Sequence, residues 1–259
     1  MLSKDQLKKL SNHYKIDIFS IQREYSQIIF LHGLYQQISS KDIIFKGGTA
    51  IRLLYHSQRF SEDLDFTTKL SKNNLILDLN KALRYFKNFY NDATYKKTHG
   101  KEFDNSYTLI LKYSIPELTY PSSLHLDFSL RENTIQNPKQ EIINLFVYPL
   151  EISRPYIQTM TKEEIIAEKI QAFFGRNKLR DLYDLAFLLQ QDKASMELIN
   201  NKLAYYSEVF SKERFLNKLK NISLIDFKND LYPFLPINER NDQTYHNSIE
   251  IVKQYINEI

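Results

Sequence analysis

The 259-residue sequence contains no cysteine and no tryptophan. Without cysteine there is no disulfide framework, no thiolate nucleophile, no cysteine-ligated zinc and no iron–sulfur cluster. Glycine (5 residues) and proline (7 residues) are scarce, which favours helices joined by short connections. No apolar run approaches the ~18 residues of a membrane span. The N-terminal stretch MLSKDQLKKL lacks the apolar core of a signal peptide. A cytoplasmic protein without a membrane partner is the expectation. The six histidines show no metal-ligand spacing, and no serine lies in a nucleophile-elbow pattern. Internal repeats and low-complexity segments are also missing.

What remains is an ordinary globular composition, 42 % hydrophobic and 25 % charged, which excludes wholesale disorder. The formal net charge of +4 permits a polyanionic partner without requiring one. Apolar residues at helical spacing predict a long helix over 16–38, with Gly33 as a kink point. The run 42–45 reads as a buried strand that stops at Gly47-Gly48, and 49–57 as a short helix. Alternation predicts strands over 61–67, 107–115 and 124–130, a further strand over 142–150, and a helix over 75–90. After Pro155 the pattern becomes helical. Thr161-Lys-Glu-Glu164 reads as a capping box opening a helix to 176, followed by helices over 178–190 and 248–259. The expectation is an α+β chain, with a mixed α/β core over 1–155 and a helical domain over 156–259.

The chemistry concentrates in two strings, KGGTA from Lys46 and RFSEDLDF from Arg59. On a strand, residues two apart share a face, so Asp63 and Asp65 point together. Adjacent carboxylates repel unless a cation lies between them, and hard oxygen pairs suit Mg²⁺ or Mn²⁺. Taken alone, such a pair reads first as two solvated aspartates on an exposed strand face. A Gly-Gly turn opening a helix offers backbone N–H groups to a phosphate. Asp127, on a later strand, adds a third carboxylate. Between Arg84 and Lys101, cations including Lys96 and Lys97 are interleaved with Tyr85, Phe86, Phe89, Tyr90 and Tyr95. This is either a surface for unpaired RNA or an amphipathic helix with a solvated face.

The strings KGGTAIRLLY and RFSEDLDF resemble the AbiEii/AbiGii toxin family of nucleotidyltransferases, within the DNA polymerase β superfamily. The later EIIAEKIQA from Glu164 and RDLYDL from Arg180 resemble that family's C-terminal motif. The resemblance implies a polymerase β-like core with a mixed sheet flanked by helices, followed by a helical domain that contributes to the nucleotide site. It implies metal ligation by Asp63, Asp65 and Asp127, and nucleotide binding by Lys46, Gly47, Gly48, Thr49, Arg59, Ser61 and Lys169. It places Lys169, with Asp181 or Asp184, among the catalytic groups. The implied reaction moves an NMP from an NTP to an acceptor hydroxyl, with RNA, and in particular a tRNA 3′ end, as the acceptor. The implied partner is a cognate antitoxin. Transfer to a small molecule or a protein side chain, and a catalytically inactive RNA- or protein-binding module, are the competing readings. From spacing alone Lys169 reads equally as a snorkelling surface lysine, and Arg180 and Asp184, four apart, as a pair along one helix face.

Overall fold

The computed structural model describes residues 1–97, 105–115, 121–131, 133–143, 148, 152–176 and 178–259. The chain divides into two units. The first comprises Met1–His56, Phe60–Asn133 and Pro138–Thr159. The second comprises Ser57–Arg59, Thr134–Asn137 and Met160–Ile259.

Among the described residues the first unit is built on seven strands in the order β3-β4-β5-β2-β1-β7-β6. In chain order they are β1 (Ile43–Lys46), β2 (Asp63–Thr68), β3 (Thr94–Lys97), β4 (Ser106–Tyr113), β5 (Ser122–Ser129), β6 (Lys139–Ile142) and β7 (Tyr156–Thr159). β2 pairs with β5, and β1 with β7, in parallel; the other pairs are antiparallel. Four helices accompany the sheet: α1 (Lys4–Tyr14), α2 (Ile18–Tyr35), α3 (Gly47–Tyr55) and α4 (Lys72–Phe86). The mixed sheet with helices matches the α+β expectation.

The alternation of β2, β4 and β5 separates two faces. Leu64, Phe66, Leu109, Leu111, Leu126 and Phe128 are buried, and the Phe66 and Phe128 rings stack 4.7 Å apart. α2 and α4 supply the opposing apolar layer. α2 starts at the N-cap Asp17, whose carboxylate accepts the Ser20 N–H at 2.9 Å. It runs unbroken through Gly33 rather than kinking there. A Cβ at Gly33 would lie 2.7 Å from Tyr85 Cδ1, so the glycine admits the close approach of α4.

The second unit is helical: α5 (Lys162–Gly175), α6 (Leu179–Leu189), α7 (Met196–Ala204), α8 (Lys212–Lys220), α9 (Leu224–Leu231) and α10 (Asp242–Glu258). Ile166, Ile170, Phe173, Leu182, Leu185, Phe215, Phe227 and Val252 are buried. Thr161 caps α5, accepting the Glu164 N–H at 3.2 Å. Glu164 departs from the capping-box expectation. Its carboxylate accepts the Ile135 and Gln136 N–H groups at 2.8 and 3.0 Å and pairs with the buried Lys202 at 2.7 Å. The reason is burial: Glu164 is fully enclosed, and an enclosed carboxylate needs more donors than one helix terminus offers. Among the described residues no helix is long and apolar enough to cross a membrane.

The boundaries shift in several places. The helix read from 75 begins at Lys72, capped by Ser71, and the strand read over 142–150 lies earlier, as β6. Residues 144–147 and 149–150, and Lys101, lie outside the described residues. The described part of the basic segment is not one helix: it runs from the end of α4 into β3. Phe86 and Tyr90 are in the core; the Tyr90 hydroxyl accepts a bond from Gln22 at 2.8 Å, and Tyr95 donates to the Leu79 carbonyl at 2.7 Å. Tyr85, Phe89 and Tyr95 are half-buried.

Candidate active site

β1 ends where Gly47 turns the chain into α3 with φ of +76°, a conformation open to glycine and costly to other residues. A second constraint comes from across the turn. A Cβ at Gly47 would stand 2.1 Å from Asp65 Oδ2 and 2.8 Å from Asp65 Cβ. The Gly47 backbone therefore lies directly against the second aspartate of the DLD string. The N-cap residue Lys46 makes no side-chain capping bond to the first turn of α3, where backbone N–H groups have no partner within the helix. The Thr49 hydroxyl donates to the Asp63 carbonyl at 2.5 Å, tying α3 to the start of β2. That hydroxyl proton is already used, so what Thr49 can offer a phosphate is its N–H.

Strand register assembles the carboxylates. Lys46 is the antiparallel partner of Asp65, Asp65 the parallel partner of Asp127, and Asp127 the antiparallel partner of Thr108. These four positions form one row across β1, β2, β5 and β4. Asp63, two residues before Asp65, lies on the same face. Asp63, Asp65, Asp127 and Lys46 are all half-buried. Thr108 donates its hydroxyl to Asp127 Oδ1 at 2.5 Å. Among the described residues no group of three or more histidine, aspartate or glutamate side chains converges closely enough to hold a metal ion. The arrangement contains a pair of hard oxygen donors on one strand and a third carboxylate in register on the next.

Behind α3 lies a buried cluster that sequence reasoning missed. Arg52 pairs with Glu24 at 2.7 Å, and its guanidinium stacks 3.9 Å from the Phe60 ring centroid. Tyr148 donates its hydroxyl to Glu24 Oε1 at 2.8 Å. Burial and the Glu24 charge push the Tyr148 phenol well above its usual pKa. This cluster anchors the far side of the helix whose first turn faces Asp65. Ser61 is held through its carbonyl, which accepts Gln27 Nε2 at 3.1 Å.

The other predicted site residues meet in the helical unit. Arg59 grips Asp184 with a two-pronged contact, Nε and Nη2 each 2.7 Å from a carboxylate oxygen. Lys169 Nζ lies 2.7 Å from Asp184 and 2.9 Å from Asp181. Arg176 reaches Asp181 at 2.8 Å. Lys169 is buried, not a snorkelling surface lysine, because two carboxylates enclose it. Burial alone would raise the pKa of Asp184, yet Arg59 and Lys169 hold it below the ordinary carboxylate range. Asp181 is likewise held low against its burial, by Lys169 and Arg176. The helix-face pairing read for Arg180 gives way to Asp230, 3.5 Å away, with the guanidinium 4.5 Å from the Phe234 ring. Of the two lysines read as an RNA contact, Lys96 is exposed on β3 in register with Ile110, and Lys97 is in register with Leu109.

Comparison with known proteins places this geometry. No functionally curated protein matches the chain. Among solved structures, MenT4, the nucleotidyltransferase toxin Rv2826c from Mycobacterium tuberculosis H37Rv, is similar with a TM-score of 0.73 at 18 % identity, over 100 % of this chain and 91 % of that one. JHP933 from Helicobacter pylori is similar with a TM-score of 0.60 at 20 % identity, over 94 % of each chain. Identities this low establish a shared fold. The family model described as nucleotidyl transferase AbiEii toxin, type IV toxin–antitoxin system, matches residues 29–244, most of the sequence. The chain belongs to the AbiEii nucleotidyltransferase toxins.

Proposed function

We propose that this toxin transfers an NMP from an NTP to a hydroxyl of an RNA acceptor, such as a tRNA 3′ end, with a divalent cation and release of pyrophosphate. The observation that carries the reading is the row Lys46–Asp65–Asp127, with Asp63 beside it, at the foot of the helix that opens on Gly47-Gly48. In this reading the N–H groups of Gly48 and Thr49 receive the triphosphate, and Lys46 and Ser61 flank it. Asp63 and Asp65 hold Mg²⁺ or Mn²⁺, whose remaining positions go to oxygens brought by the nucleotide and by water. When bound, the ion neutralises phosphate charge and favours ionisation of the attacking hydroxyl. The acceptor oxygen bonds to the α-phosphorus, and the bridging bond to the β-phosphate breaks. Asp127 Oδ1 already accepts Thr108, leaving Oδ2 to take the acceptor's proton. Three cations, Arg59, Lys169 and Arg176, meet two carboxylates, Asp181 and Asp184. A cognate antitoxin and residence in the cytoplasm complete the proposal.

The test is incubation with each α-labelled NTP, total RNA and Mg²⁺, comparing the wild type with Asp63→Asn and Asp65→Asn. Labelled RNA with the wild type alone is the expected outcome. Equal labelling by either variant would sink the metal-site assignment. Label on protein or a small molecule would replace the acceptor.

A further inference from the structure

The register that aligns the carboxylates continues past them. Asp63 is partnered by His125 on β5, His125 by Ile110 on β4, and Ile110 by Lys96 on β3. The next row outward pairs Ser123 with Lys112. These positions share the face of Asp63 and Asp127, because they stand two residues apart along their strands. The alternate positions, Leu124, Leu126, Leu109 and Leu111, are buried. His125, Lys112 and Lys96 are exposed, and Ile110 is half-buried between them.

We infer that this strip, resting on the nucleotidyl-transfer reading above, is the acceptor track: it seats the single-stranded 3′ end of an RNA, running from Lys96 on β3 to the carboxylates on β2. Three features fix the occupant. Charge changes sign along the strip, cationic at β3 and β4 and anionic at β2. A 3′ end is the complement, since its phosphates lie upstream and its last group is a neutral hydroxyl. An acidic peptide carries its charge throughout and would meet Asp63 and Asp65 with like charge. Length is the second feature. Strands stand about 4.8 Å apart, so three steps span ~14 Å, room for a few nucleotides and well short of a duplex turn of ~34 Å. Chemistry is the third. Ile110 offers apolar contact to a ribose or base edge, His125 offers a ring nitrogen to a ribose hydroxyl, and Lys112 and Lys96 neutralise phosphates.

The probe is a fluorescently labelled short oligoribonucleotide with a free 3′ hydroxyl, titrated across a salt series. Lys96→Ala/Lys112→Ala is compared with Lys41→Ala/Lys139→Ala, which removes the same charge from exposed positions elsewhere in this unit. Two lost phosphate contacts should flatten the log–log salt slope by about 1.4, with NTP affinity and thermal melting unchanged. The control should keep the wild-type slope. His125→Ala should weaken binding without altering the slope, and a 3′-phosphorylated oligonucleotide should bind less tightly than the 3′-hydroxyl form. Equal slopes in wild type and the Lys96/Lys112 variant, while the wild type still labels RNA, would overturn the track alone. Equal losses in the control would reduce the strip to a general field and overturn it too. An acidic peptide that binds the wild type and loses affinity only in the Lys96/Lys112 variant would give the strip to a protein partner. Absence of RNA binding by the wild type would overturn the track together with the RNA acceptor.

Discussion

Replacing Gly47 with alanine tests the turn that joins the fold to the chemistry. The residue sits at φ of +76°, where an L-residue pays roughly 1–2 kcal/mol. The new Cβ would also fall 2.1 Å from Asp65 Oδ2 and 2.8 Å from Asp65 Cβ and Cγ. Real Cβ contacts of that length do not occur, so the Asp65 side chain must move by about 1 Å or more. Strain alone should lower the melting temperature by a few degrees, given about 2–4 °C per kcal/mol for a chain of this size. The effect on activity should be larger, because a misplacement of ~1 Å costs on the order of a hundredfold in rate. Gly175→Ala is the control: its Cβ would meet Gln171 Nε2 at 3.6 Å, an ordinary contact. Differential scanning fluorimetry reads the first effect and pyrophosphate release the second, with Mn²⁺ titration reporting the carboxylate pair directly. Wild-type turnover in Gly47→Ala would show that the position of Asp65 does not govern the reaction.

Arg59→Met should destabilise the helical unit by about 1.5–3 kcal/mol, since it removes the two-pronged charged hydrogen bonds from buried Asp184 and leaves it Lys169. The double variant Arg59→Met/Asp184→Leu should cost less than the sum of the single changes. Normal melting with lost NTP affinity would instead make Arg59 a nucleotide ligand. The folded-state pKa values of Asp181 and Asp184 are depressed. Their contribution to stability is therefore full above the unfolded carboxylate pKa of about 3.9 and is lost as pH falls through the folded values. Melting should decline below about pH 4, and less steeply in Arg59→Met; parallel acid profiles would count against the network. Thr108→Val should lower turnover by roughly 10- to 100-fold, the worth of a hydrogen bond to a charged group, with the NTP KM unchanged and activity restored by Thr108→Ser. Full activity in Thr108→Val would mean that Asp127 needs no orienting partner.

The parts legible in the sequence are those whose signals are local. Gly47-Gly48 ends one element and opens another within a few residues, and the two-residue period of Asp63 and Asp65 is fixed by strand geometry alone. Asp127 was visible for the same reason, flanked by Leu126 and Phe128. What stayed hidden depends on partners distant in sequence. β3, β6 and β7 have four residues each, too few for periodicity to register, and exist because neighbouring strands complete their hydrogen bonds. Lys169 looks like a surface lysine until Asp181 and Asp184 enclose it. Arg59 meets Asp184 across 125 positions, and no local pattern announces that. His125 and Thr108 carried an alternation signal, but their relation to the carboxylates needed the register of β2 on β5 and β5 on β4. Of the aromatics in the basic segment, Tyr90 and Tyr95 bond their hydroxyls inside the fold, which no local pattern announces.

The parallel pairing of β2 with β5 bears on when the row of carboxylates can assemble during synthesis. Asp65 and Asp127 sit side by side in the sheet but roughly 60 residues apart along the chain, a gap of about 3–12 s at ordinary translation rates. A nascent chain that already displays the glycine turn and both aspartates of β2 still lacks the strand that brings the third. β1 also waits for β7, whose Thr159 donates to the Phe45 carbonyl at 2.9 Å. High contact order thus makes the row of carboxylates one of the last features of the first unit to form. Chains cut short before β5 lack the strand that carries Asp127, and those cut short before β7 lack the parallel partner of β1.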